Sequence, residues 1–400
     1  YVIETGPVNE NLPEITIDVP KMFDLGEGWT LVSYYGYAEN RVPHHPFIFD
    51  SFGDIRWYGD FRSDPVLDKL NYNDGMERLQ NGNFYFGFAE PREVEAEHAD
   101  KIYEMNMLGE IINIWEMPGY TFHHEVHEKP NGNFVVTVDK IGEPTVEDYI
   151  IEIDRNSGEI INEWNLNESL DNTRRVLTDD EEDWFHANAV LYDDRDNTII
   201  VSGRTQGVVK LTEQNEVVWI MGPGKSWGEN EAGVDLGSLV LNPLDAEGDL
   251  IADQDVWGGS DNHEDFEWNW YQHAPMIMPN GNILLFDNGD NRNFKGTGPY
   301  SRAVEFKVDE EALTIQQVWE YGKERGEETY SRIVSDVDYL EEDKSVIFSP
   351  GAIDFGKRYG KIVEIDYNSG NVVFEATITP PNGFVTFHRT ERLSLYPDQN

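Results

Sequence analysis

The chain has 400 residues, of which 39% are hydrophobic and 12% aromatic, enough apolar material for a large core. It contains no cysteine, which excludes disulfides, thiolate metal sites and cysteine nucleophiles. A formal net charge of -47 argues against nucleic acid as a partner, because phosphate binding needs a basic surface, and no apolar run approaches the roughly 20 residues of a membrane span.

Residues 1–27, including "GPVNENLPEITIDVP", read as an extended lead-in or the remnant of an upstream domain. From residue 28 onward helical periodicity is nearly absent. Short β-rich runs alternate with Gly, Asn, Asp and Pro turns, the pattern of an all-β protein. Two signatures recur. One is an Asn-Gly-Asn turn followed by an apolar strand, as in "NGNFYFGF" from Asn81, "NGNFVVTV" from Asn131 and "NGNILLF" from Asn280. The runs "DRDNTIIVSG" from Asp194 and "EDKSVIFSPG" from Glu342 are variants of it. The other is a strand ending in an aromatic: Trp57, Trp115, Trp164, Trp219, Trp319 and Phe374.

These aromatics fall 58, 49, 55, 100 and 55 residues apart. The long gap holds one ordinary repeat plus an insert at about 222–270, rich in Gly, Asp and Trp. A period near 50 with two hairpin signals per repeat predicts a six-bladed β-propeller of four-stranded antiparallel blades over residues 28–400. The terminal stretch "GFVTFHRTERLSLYP" supplies one more strand, expected to join a blade built from the N-terminal segment and so close the ring.

Aligning the repeats on their turns places His124 seven residues before Asn131, His186 seven before Asp193 and His273 seven before Asn280. The second repeat has Asp74 in that column, and the sixth has Ser335 or Asp336 nearby. Equivalent positions of a propeller lie at equal depth around its axis, so the three imidazoles should converge at the channel mouth. Three readings compete: histidines that close blades by hydrogen bonds, a zinc site, and an anion site. Asn188 and Arg204 fall in the same region, and a guanidinium beside the ligands opposes a dication. Imidazoles, an amide and a guanidinium make a donor-rich pocket for a tetrahedral oxyanion, and histidine can serve as nucleophile or general acid near neutral pH.

Other polar stretches suggest less. "DNGDN" from Asp287 lacks calcium-loop spacing and reads as a solvated loop, and "GGSDNHEDFEWNW" in the insert as a rim loop. His44 and His45 receive no role, and His388 near the closing strand reads as structural.

The stretches "HHEVHEKPNGNFVV", "DWFHANAVLYDDRDNTIIVSGR" and "QHAPMIMPNGNILLFDNG", in this order, resemble the bacterial arylsulfate sulfotransferases. "SRAVEFKVDEEALTIQQVWEYG" and the terminal "FHRTERLSLYP" resemble them as well, so the likeness covers roughly residues 28 to 396. It includes the His-x-Asn pattern with an arginine 18 residues later. The resemblance implies a six-bladed propeller, periplasmic or secreted, that moves a sulfuryl group from an aryl sulfate to a phenol without a nucleotide donor. It implies that His273 is transiently sulfated and that His186, Asn188, Arg204 and His124 complete the site, with no cofactor and no metal. Partners would be the small aryl sulfate and phenol, and a homodimer is compatible with the sequence. The competing class is a non-catalytic propeller that binds anionic aromatics or proteins on its ring face.

Overall fold

A computed structural model describes residues 12–23, 27–37, 46–60, 71–89, 99–296, 298–355, 357–381 and 384–394; within these, the side chains of 35–37, 71–74 and 88–89 are not described. The expected all-β propeller is found. Its first blade combines β2 (Trp29–Tyr37), β3 (Phe47–Phe49) and β4 (Ile55–Tyr58). The second holds β5 (Asn71–Arg78), β6 (Phe84–Ala89), β7 (Lys101–Met105) and β8 (Ile111–Glu116). The third holds β9 (Tyr120–Glu128), β10 (Phe134–Lys140), β11 (Tyr149–Ile153) and β12 (Ile160–Asn165). The fourth runs β13 (Ala187–Asp193), β14 (Thr198–Gly203), β15 (Gly207–Leu211) and β16 (Val217–Met221). The fifth has β18 (His273–Ile277), β19 (Ile283–Asp287), β20 (Arg302–Asp309) and β21 (Thr314–Tyr321), and the sixth β22 (Asp336–Leu340), β23 (Ser345–Ser349), β24 (Gly360–Asp366) and β25 (Val372–Thr379).

The terminal strand β26 (Phe384–Leu393) takes the innermost place of the first blade, antiparallel to β2. This joins the two ends of the chain and leaves no open inner edge between blades. Two strands extend outer edges. The lead-in strand β1 (Glu14–Val19) pairs with β25, and β17 (Asn242–Leu244) from the insert pairs parallel to β21.

Both recurring signatures have a physical cause. In the Asn-Gly-Asn turns, Gly82, Gly132 and Gly281 adopt φ of 85°, 86° and 86°, the left-handed region that favours glycine. The first Asn accepts from the backbone N–H two residues on, at 2.9–3.0 Å. Asn side chains of the turn then donate to a glutamate on the third strand of the same blade: Glu104, Glu152 or Glu305. The aromatic column links neighbouring blades. The indole N–H groups of Trp57, Trp115, Trp164 and Trp319 donate to Met107, Arg155, Thr212 and Tyr367 carbonyls at 2.8–3.1 Å, each in the outer hairpin of the next blade. Trp219 does the same through the Glu310 carboxylate. Phe374, with no N–H to offer, instead packs edge-on against Phe23.

The rim-loop reading holds for residues 260–265, which are exposed or half-buried, but not for 266–270, which are buried. Trp268 and Trp270 are fully buried in the core shared by blades four and five. The "DNGDN" reading is likewise overturned, because Asp287, Asn288 and Asp290 are buried. Asp287 accepts from Arg292 and Arg302, both at 2.8 Å, and from the Trp270 backbone N–H. Two buried arginines require a buried counter-charge, and this carboxylate supplies it.

Candidate active site at the channel mouth

In five of the six blades the register between the innermost strand and its neighbour shifts at the histidine column. A bulge of this kind leaves extra residues on one strand and re-aims their side chains, here towards the axis. Left-handed backbone angles mark the same places: φ is 68° at His124, 56° at His186 and 47° at Ala274, next to His273. Residues other than glycine adopt this region at a cost, and such strain gathers at functional sites. The Phe185 ring packs against Gly203, which pairs with Ala187 beside the fourth-blade bulge. A Cβ on Gly203 would lie 2.4 Å from that buried ring. Gly203→Ala is therefore expected to cost about 1–3 kcal/mol by overpacking. An unchanged urea midpoint would sink that expectation.

His124, His186 and His273 do converge. The His124 ring centroid lies 5.5 Å from that of His186 and 6.2 Å from that of His273. Two further histidines join them. His123 stacks edge-on against His124 at 3.9 Å, and His388 lies 4.7 Å from His124 with the two Nδ1 atoms 3.0 Å apart. His388, read from sequence as structural, is thus placed with its ring in the cluster. Its signal was present in the sequence. The closing strand is itself an innermost strand, and His388 falls at its bulge. The Asp74 side chain, His44 and His45 lie outside the described residues.

The imidazoles differ in charge because their partners differ. His273 Nδ1 lies 2.8 Å from Asn288 Oδ1 and 3.1 Å from the Tyr271 carbonyl. The Asn288 amide is oriented by donating Nδ2 to the Ser331 and Val334 carbonyls at 2.8 and 3.0 Å, so its oxygen must face the ring. Two acceptors therefore hold a proton on Nδ1, and Nε2 keeps its lone pair. Burial, and then the Arg204 charge, hold His273 well below the usual imidazole range, so the ring is neutral. Burial and its neighbouring imidazoles do the same to His124.

His186 is the opposite case. Its Nδ1 is 2.7 Å from Glu147 and 2.8 Å from Asp183. Burial opposes a charge there, but the two carboxylates outweigh it and raise the imidazolium pKa to about 9. Its Nε2 has no hydrogen-bond partner among the described residues. Glu147 also meets His123 Nε2 at 3.2 Å. Neither carboxylate was singled out from sequence, since both lie in loops outside the repeat alignment.

Arg204 donates its backbone N–H to the His186 carbonyl at 2.9 Å and stacks over the Tyr271 ring at 5.3 Å. Its guanidinium forms no ion pair with the described residues, and its buried Nε has no hydrogen-bond partner there. A largely desolvated guanidinium with no described counter-ion is costly unless a ligand supplies one. Asn188 stands in the fourth-blade bulge and donates Nδ2 to the Gln272 carbonyl at 2.8 Å, tying this blade to the residue before His273. One further amide N–H remains for a ligand.

Two groups of acidic and histidine side chains among the described residues bring their ligand atoms together, Glu147–Asp183–His186 and Asp193–Asp196–Glu310. In each, a proton donor sits among the oxygens: the His186 ring in the first, and in the second the Lys210 ammonium at 2.6–3.0 Å from all three carboxylates. Deeper in the channel, Arg389 pairs with Glu125 and, at 2.9 Å, with Glu77. Burial raises the Asp338 and Glu391 carboxyls to about 7 and about 8. The acidity of the chain therefore reaches the axis, but as ion pairs or as carboxyls whose ionisation burial disfavours. Arg204 alone faces the histidines without a described carboxylate partner.

These features define a class: a six-bladed propeller that gathers histidines of unlike charge, and a guanidinium with no carboxylate partner among the described residues, at one mouth of its channel. The family model described as Arylsulfotransferase (ASST) matches residues 17–384, and the chain belongs to this family. The arylsulfate sulfotransferases AssT of Escherichia coli O6:H1 and Lelliottia amnigena are 32% and 30% identical to it over 413 and 411 residues, 88% of this chain in each case. The chain spans 65% of the length of each of these relatives. A solved structure of a Bacteroides caccae protein of unknown function matches with a TM-score of 0.51, covering 90% of this chain and 97% of its own. At 14% identity that likeness speaks to fold alone. No helix of the described residues is long and apolar enough to cross a membrane.

Proposed function

We propose that this protein transfers a sulfuryl group from an aryl sulfate to a phenol by a ping-pong route through a sulfated His273. The observation that carries the reading is the state of His273: neutral, with Nδ1–H held by Asn288 and Tyr271, and with Nε2 and the nearby Arg204 Nε lacking hydrogen-bond partners among the described residues. In the first half-reaction the Nε2 lone pair forms an N–S bond as the S–O(aryl) bond breaks. The bonding pair leaves on the aryl oxygen, which takes a proton from His186 Nε2. In the second half, the acceptor phenol gives its proton to His186, its oxygen attacks sulfur, and the N–S pair returns to His273.

Negative charge spreads over three oxygens during such a transfer, so fixed donors dominate the catalysis. Arg204 and the remaining Asn188 N–H are assigned to these oxygens, and His124 to the same pocket wall. A phenol has a pKa of about 10, judged from tyrosine, so a protonated partner for the leaving oxygen matters.

The test is a single-turnover experiment with 4-nitrophenyl sulfate and no acceptor. A burst of one 4-nitrophenol per chain is expected, with the mass of SO3 added on a His273 peptide. Binding without a burst would instead favour the non-catalytic propeller.

A further inference from the structure

We infer that Glu147 and Asp183 are positioning residues that hold His186 as the imidazolium which protonates the leaving phenolate. The inference rests on the sulfuryl-transfer reading above and extends it to two residues outside the histidine column.

The geometry is specific. Glu147 lies in the loop between β10 and β11, buried, and adopts a left-handed φ of 57°. Asp183 lies three residues ahead of His186 in the loop leading to β13. From these two directions both carboxylates reach one ring nitrogen, Nδ1, at 2.7 and 2.8 Å. A single imidazole nitrogen between two carboxylates is a donor, so a proton sits there, and the two negative charges favour a second proton on the ring's other nitrogen. The remaining charged or titratable neighbours are His123 and His124 on β9, whose ring centroids are each 5.5 Å away, and Arg204, whose backbone N–H meets the His186 carbonyl. Asp139 on β10 accepts from the Glu147 backbone N–H at 2.5 Å and adds negative charge behind the clamp. His273 is neutral and does not compete.

The division of labour follows. A nucleophile must be neutral and an acid must be charged at the same pH, and two imidazoles in one pocket would ordinarily titrate together. Amide and carbonyl acceptors around His273, against carboxylates around His186, separate them. An acid with a pKa of about 9 stands near that of an ordinary phenol, where proton transfer works in both half-reactions.

The test uses leaving-group dependence. Glu147→Gln, Asp183→Asn and the double variant are assayed with phenyl sulfate and with 4-nitrophenyl sulfate, whose phenol is more acidic and needs no proton to depart. The double variant is expected to lose about 10²-fold or more on phenyl sulfate, the ordinary worth of general acid catalysis. On 4-nitrophenyl sulfate it should stay near wild type, and that burst also certifies that the variant is folded. Asp183→Asn, at the more exposed carboxylate, should show a smaller loss of the same kind. In the wild type the phenyl sulfate rate should fall as pH rises through about 9, and in the double variant the fall should move below the ordinary imidazole value of about 6.5, because burial then acts without the opposing carboxylates. Equal losses on both donors, or no loss on either, would overturn the inference. A wild-type enzyme that gives no burst at all would instead remove the sulfuryl-transfer reading beneath it.

Discussion

Replacing His273 with alanine should lower turnover by roughly 10⁴-fold or more, the scale seen when a covalent nucleophile is removed from a site whose other groups act with it. The same variant should carry no SO3 after incubation with donor alone. Nε2 is the proposed nucleophile because two acceptors keep the proton on Nδ1 and because burial and Arg204 disfavour a second proton. His186 is protonated, and His124 Nδ1 faces the Nδ1 of another imidazole, which fixes no tautomer, whereas two fixed acceptors face His273 Nδ1. Rescue of the alanine variant's adduct by any neighbouring histidine would refute the assignment. A fold check is available, since His273 lies at the first position of β18 and its removal leaves the ladder bonds of the blade intact.

Arg204→Lys should cost about 10²- to 10³-fold in kcat, comparable to losing one fixed donor of an oxyanion site. The charge is kept, so charge alone cannot account for the loss. What disappears is the planar fork, which presents parallel N–H groups to two oxygens and is stacked on Tyr271. A lysine ammonium is a compact, strongly hydrated point charge, less suited to this buried position. The measurement is kcat and KM across several aryl sulfates. The deficit should be nearly the same for all of them, because Arg204 is assigned to the sulfuryl group and not to the ring. A lysine variant with wild-type kcat would show that the guanidinium serves binding or packing only.

Much of this molecule was legible along the chain. Turn glycines and aromatic strand ends are local signals, and both have local work: the turns bond to a glutamate within the blade, and each indole reaches the next blade's hairpin. Repetition made them visible. The three column histidines were visible for the same reason. What escaped notice did not repeat. His388 arrives from the far end of the chain and belongs to the first blade only after ring closure. Asn288 looked like part of a solvated loop because its stretch is polar, yet buried arginines and the His273 ring consume that polarity. Glu147 and Asp183 stand in loops where 77 acidic residues of the chain offer no contrast to single them out.

The sequence by itself determined the architecture, the approximate number of blades and the convergence of three histidines, since periodic patterns specify which positions share one depth around an axis. Only the tertiary structure decided what each histidine is. The charge of an imidazole depends on burial and on the one or two atoms facing its nitrogens. Those atoms come from Asn288, Glu147, Asp183 and His388, brought to the rings by strand bulges and by closure of the ring of blades.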